Sequence, residues 1–184
     1  MKNIFYKRTV ASITAFIILI GGVWLFGEKS SSYPEPNEAV FAAEEELVLI
    51  PAYKLNKEAL FFFINSENRF GAVSAHEGLF GWQAGPLTWG SLYTGDSFAD
   101  LNGYQIHEGE LVYGLIENGL DRQVMIGDRN AVLLNLASLS PETVEEYELE
   151  GLYLWYLEGG NFDGEEIRLI DSGTGEVIDT MTLN

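Results

Sequence analysis

The sequence of 184 residues contains no cysteine, two histidines, and ten Lys plus Arg against 28 Asp plus Glu. Each shortage excludes something. Without cysteine there can be no disulfide, no thiol nucleophile and no lipid-bearing cysteine behind an apolar leader. At a formal net charge of -18 the chain lacks the clustered cations that displace counterions from phosphates, which argues against nucleic acid as a partner. No serine stands in a Gly-x-Ser-x-Gly setting, so the nucleophile elbow is missing. Neither histidine has a second one at the i, i+4 spacing that aims two ring nitrogens at one metal.

What is present is unevenly placed. Residues 1–32 hold four cations and one acid, which leaves six cations and 27 acids for residues 33–184. Between Lys7-Arg8 and Glu28-Lys29 runs an uncharged apolar stretch, Val10 to Phe26. With Thr9 and Gly27 it would make about 28 Å of helix, close to the thickness of a hydrocarbon core. It reads as a membrane anchor or a signal sequence, over residues 10–27. An uncleaved anchor is favoured, because Glu28-Lys29 follow at once and the first small-residue site, Val40-Phe41-Ala42, stands far downstream. Three cations before the segment place residues 1–9 in the cytoplasm and the rest outside the cell membrane.

Residues 28–46, with Ser30 to Ser32, Pro34, Pro36 and five Glu after Lys29, read as an acidic linker that stays extended and hydrated. Residues 47–184 then form an extracytoplasmic β-rich domain. Short apolar runs divided by Gly, Asn, Asp and Pro predict strands at Leu47–Ile50, Ala59–Ile64, Phe70–Ala75, Leu79–Gln83, Leu87–Tyr93, Leu111–Glu117, Gln123–Ile126, Ala131–Leu136, Leu152–Glu158, Glu166–Asp171 and Glu176–Thr182. Leu152–Glu158 is apolar on both faces, as a central strand is. Ser140-Pro141-Glu142 predicts one short helix, with Ser as cap, Pro in the first turn and acids after it. The expected fold is mainly β, with sandwich-like or barrel-like antiparallel sheets, behind a single N-terminal transmembrane helix.

Two stretches carry a family resemblance. One joins Ala59-Leu-Phe-Phe-Phe-Ile64, Phe70-Gly-Ala-Val73 and His76-Glu-Gly-Leu-Phe-Gly-Trp82; the other joins Val112-Tyr-Gly-Leu-Ile116, Trp155-Tyr156 and the hairpin from Ile170-Asp171 to Gly175-Glu176-Val177. Over residues 47–184 the chain resembles a loose group of small, uncharacterised, membrane-anchored or exported β-rich proteins of Gram-positive endospore-forming bacteria. The resemblance implies an extracytoplasmic place and a β-sandwich-like C-terminal half, and it implies no activity. The chain departs from the group in its acidity, having Glu and Asp in loops where the group often has Lys.

Candidate chemistry is sparse. His76-Glu77-Gly78 and His107-Glu108-Gly109 repeat one triplet whose simplest meaning is a turn before a strand. Glu45, Asp96, Glu117 and Glu158 are nominees for paired carboxylates, which glycoside cleavage needs about 5–10 Å apart. Phe98–Gly103 and Gly159–Gly164 match the middle of a calcium loop but lack its first and last ligands. The best candidate ligand-binding residues are Trp82, Trp89 and Tyr93, aromatics in a Gly-rich segment where exposed rings could stack on a sugar or a peptide. The sequence thus points to a membrane-anchored, non-enzymatic binding or interaction domain without metal or cofactor, facing an envelope protein or a wall polymer. The alternatives are an envelope hydrolase acting through paired carboxylates and an acidic subunit of a membrane complex.

Overall fold

Alternating apolar positions build most of the molecule. The computed structural model describes residues 16, 18–92, 98–101 and 103–183. Residues 16 and 18–30 are helical (α1), and two further helices follow, α2 (Pro36–Ala43) and α3 (Pro141–Glu146). The strands are β1 (Leu47–Leu55), β2 (Glu58–Asn65), β3 (Arg69–Glu77), β4 (Trp82–Ala84), β5 (Thr88–Ser91), β6 (Gln105–His107), β7 (Leu111–Glu117), β8 (Arg122–Ile126), β9 (Arg129–Asn130), β10 (Val132–Asn135), β11 (Leu152–Glu158), β12 (Glu166–Asp171) and β13 (Val177–Thr182). They form a five-stranded sheet in the order β1-β2-β3-β4, with β5 also on β3, and two four-stranded sheets, β10-β11-β7-β6 and β13-β12-β8-β9. The fold is mainly β, with few helices.

The chain divides into two compact units, one of residues 1–45, 53–60 and 74–86, the other of residues 46–52, 61–73 and 87–184. The second unit begins at residue 46, next to the expected boundary, while residues 53–60 and 74–86 of the expected β-rich domain belong with the first unit.

In the first unit, β4 pairs antiparallel with β3 through Ala75↔Ala84, His76↔Gln83 and Glu77↔Trp82. The stretch expected to be an extended linker is largely folded here. Pro36 in the first turn and Glu38 start α2, and its Ala39 and Val40 are buried. An isolated helix of eight residues is marginal in water, so packing against β4 is what holds it. Tyr33 and Trp82 exchange backbone hydrogen bonds of 2.9 and 2.7 Å. Ala39 and Val40, between the glutamates, form the apolar face that folds a stretch its charge alone would keep extended.

α1 differs from everything else. Phe16, Ile18, Leu19, Ile20, Val23, Trp24, Leu25 and Phe26 are all exposed. Among the described residues no helix is long and apolar enough to cross a membrane, and residues 10–15 and 17 of the apolar run lie outside them.

The second unit has a layered core. β11 pairs with β7 over Leu152↔Glu117 to Glu158↔Leu111, and β12 pairs with both β8 and β13. Successive side chains of a strand point to opposite faces, so Val112 and Ile116 of β7, with Tyr153 and Trp155 of β11, face Val124 and Ile126 of β8 and Ile167 and Leu169 of β12. The other face of β7 and β11 presents Tyr113 and Tyr156 to Phe62 of β2, with ring centroids 5.1 and 5.3 Å away. Both faces of β11 are thus covered, which is why its sequence is apolar throughout. Ser140 caps α3 by accepting from the Thr143 N–H at 3.3 Å.

Candidate functional site

The aromatic candidates meet different fates. Trp82 is 4% exposed in the first unit, with the Lys54 ammonium 5.2 Å from its ring centroid, and it fills space there. Trp89, in the second unit, is 43% exposed, with the Arg69 guanidinium 5.9 Å from its ring and Phe63 edge-on at 6.4 Å. Tyr93 lies outside the described residues. Of the candidate aromatics, Trp89 is therefore the accessible indole, held between a cation and a buried ring.

Behind Trp89 is a buried polar network that the sequence did not announce. β5 alternates, so while Trp89 faces out, its neighbour Thr88 turns in and shares a hydrogen bond of 2.5 Å with His107 Nδ1. Tyr113 OH donates to Gln105 Oε1 at 2.9 Å, and Gln105 Nε2 donates to the Phe70 carbonyl at 3.2 Å. Thr88 and the Ala72 backbone also bond Tyr113. Burial pushes the Tyr113 hydroxyl pKa upward, so it remains a neutral donor.

His107 is 2% exposed and its Nε2 has no hydrogen-bond partner. Whichever way the Thr88 bond runs, one ring nitrogen is left over, because a neutral imidazole has one donor and one acceptor. The Glu108 carboxylate stands 3.8 Å from Nε2, too far for a hydrogen bond. Burial pulls the His107 pKa below 6.5, with the Glu108 charge opposing it. Glu108 and Gly109, at φ 53° and 75°, form the two central residues of a tight hairpin turn closed by Glu110 N–H on the His107 carbonyl at 3.2 Å. That turn explains the second His-Glu-Gly triplet; the first ends β3. Beside this network, Phe70, Ser91, Tyr104, Gln105 and Tyr113 help to line a cavity of about 20 Å³, room for about one water.

The remaining nominees do not assemble. His76 and His107 belong to different units. Among the described residues no group of three His, Cys, Asp or Glu could hold a metal ion. Glu117 lies opposite Leu152 and Glu158 opposite Leu111, at the two ends of the β7–β11 ladder, so about six residues of strand, or about 20 Å, separate them. That exceeds the spacing for paired acids. Asp96 and Asn102 lie outside the described residues, and Glu45 is in the first unit. In the loop of residues 159–164, Arg129 already donates to the Gly159 carbonyl, and Asn161 Oδ1 accepts from Asp163 N–H at 3.1 Å.

No family model, curated protein or solved structure matches this chain.

One further surface has the size of a binding groove. About 640 Å³ is lined by the apolar residues Ala137, Leu139, Pro141 and Val144 and by the acids Glu145, Glu148 and Glu150. Among the described residues no cation pairs with these glutamates. Glu145 and Glu146 stand in the last turn of α3, which has no basic residue and where the helix dipole disfavours negative charge. The groove is an uncompensated acidic rim beside half-buried apolar side chains.

Proposed function

We propose that the chain is a membrane-anchored, extracytoplasmic binding module, with residues 10–27 in the bilayer and the β-rich units outside. The carrying observation is the group of exposed large apolar side chains on α1, from Phe16 to Phe26; elsewhere among the described residues such side chains stand singly or in pairs along the sequence. The charge step from Lys7-Arg8 to the acidic remainder supports the orientation, and the same layout is what the resemblance to anchored β-rich envelope proteins implies. Trp89 is the accessible ring that a wall polymer or envelope protein would meet. The test is protease treatment of intact spheroplasts followed by carbonate extraction. The β units should be digested from outside while an N-terminal fragment stays in the membrane pellet. Protection of the β units in intact spheroplasts, or release of the chain by carbonate, would overturn the reading.

A second reading, an acidic subunit of a membrane complex, is favoured by the groove at Leu139, Val144, Glu145, Glu148 and Glu150. It predicts association with a cationic partner that weakens as salt rises and in a Glu145→Gln, Glu148→Gln variant. Association indifferent to both would dismiss it.

A further inference from the structure

The foot of α1 is joined to a second apolar feature within the first unit. Glu28 and Lys29 are the first charges after the apolar run. Glu28 Oε1 accepts from the Leu79 backbone N–H at 3.4 Å, and the Glu28 carbonyl accepts from Gln83 Nε2 at 3.4 Å. The turn between β3 and β4 is closed by Gly78 N–H on the Gly81 carbonyl at 2.8 Å. Gly81, at φ 137°, fits so tightly that a Cβ there would lie 2.4 Å from the Tyr33 carbonyl oxygen. The turn is held on two sides, yet the residues at its tip, Leu79 and Phe80, are 74% and 44% exposed. Next to it, Glu77 N–H donates to the Lys57 carbonyl at 2.8 Å, which brings in the β1–β2 turn with exposed Leu55.

Charge is distributed to match. All five lysines of this acidic chain stand at or before residue 57. Lys54 is engaged by Glu35 at 2.6 Å and by the Trp82 ring. Lys29 and Lys57 are exposed, and among the described residues neither forms an ion pair.

We propose that Leu79 and Phe80 are a second membrane contact, dipping into the outer face of the bilayer beside the exit of α1, with Lys29 and Lys57 at lipid phosphates. The proposal rests on the anchored reading of α1. Its warrant is depth: once residues 10–27 fill the hydrocarbon, Glu28 must sit at the headgroups, and the Leu79 N–H on its carboxylate sets the tip at the same level. An aliphatic and an aromatic side chain at that level, flanked by lysines, match the chemistry of the interface.

The absence of cysteine makes the test clean. Val23→Cys, Leu79→Cys, Phe80→Cys and Leu120→Cys variants of the full chain each carry one environment-sensitive fluorophore and are reconstituted in phosphatidylcholine–phosphatidylglycerol vesicles. Lipids bearing a quencher near the headgroup or near the tail end report depth. The Val23 label should lose most of its emission to the tail-end quencher, the Leu79 and Phe80 labels to the headgroup quencher, and the label at exposed Leu120 to neither. If Val23 is quenched and Leu79 and Phe80 behave like Leu120, the second contact is refuted and the anchor stands. If Val23 is not quenched, the anchored reading fails and the contact fails with it.

Discussion

Gly119 stands where its backbone would accept any L residue but its surroundings would not. It lies in the turn that Asp121 N–H closes on the Asn118 carbonyl at 3.0 Å. The three atoms nearest to a Cβ at this position would all belong to Tyr153, at 2.4 Å from Cγ, 2.7 Å from Cδ1 and 2.8 Å from Cβ. Carbon atoms in contact prefer about 3.5–4.0 Å, so Gly119→Ala asks for about 1 Å of retreat. The near end of the Tyr153 side chain cannot give it by a rotamer change, because Tyr153 is fixed between Ile116 and Asn135 in the ladder. Overpacking of this kind costs about 1–3 kcal/mol, against which the stiffer unfolded chain returns about 0.4–1 kcal/mol. A net loss of about 1–2 kcal/mol is expected in urea unfolding of the second unit, at unchanged m value. Placed on Tyr153→Ala, the same change should become neutral or slightly stabilising. An equal cost of Gly119→Ala with and without the Tyr153 ring would refute the close-approach argument.

Three further outcomes are expected. For His107, whose folded pKa is held below its unfolded value near 6.5, the unfolded chain takes up a proton that the folded chain resists. Stability should be complete above about pH 6.5 and should drain as pH falls toward the lower folded value; His107→Gln should flatten the urea midpoint between about pH 7 and 5, and an unchanged slope would contradict this. Ser140→Ala removes the acceptor for the Thr143 N–H and should cost about 1 kcal/mol in chemical unfolding, so an unshifted midpoint would show that the cap does not contribute. Asp171 Oδ1 accepts from Gly173 N–H, Thr174 N–H and Thr174 Oγ1 at 3.0, 2.7 and 2.9 Å, which holds its carboxyl below 3.8. Its NMR titration should move back up in Thr174→Val, and no movement would mean that the hydroxyl is not a cause.

Strand positions were legible wherever local alternation and local punctuation agreed. Leu111–Glu117, Leu152–Glu158 and Glu166–Asp171 stand where the pattern put them, as does the Ser140-capped helix. β6 and β9 were invisible because three and two residues, largely polar, exist as strands only through their partners β7 and β8. β1 outran its expected end past Pro51, which propensity treats as a stop. Trp82 and Trp89 look alike in sequence, and the first differs through segments distant along the chain, Tyr33 pairing with its backbone and Lys54 standing over its ring. The Thr88–His107–Tyr113–Gln105 network was equally hidden, since its members come from three strands whose register no single segment encodes.

The folding of α2 onto β4 has a practical and a biological consequence. A soluble fragment cut at residue 47 would strip away Tyr33, Ala39 and Val40 and lay bare the surfaces they cover, so a fragment meant to keep the first unit intact should start before Tyr33. On the anchored arrangement proposed above, a protease releasing the protein would find a correspondingly short leash, because α1 is helical through Ser30 and Tyr33 is already paired. Shedding would have to act within a few residues of the lipid or first unfold part of the body.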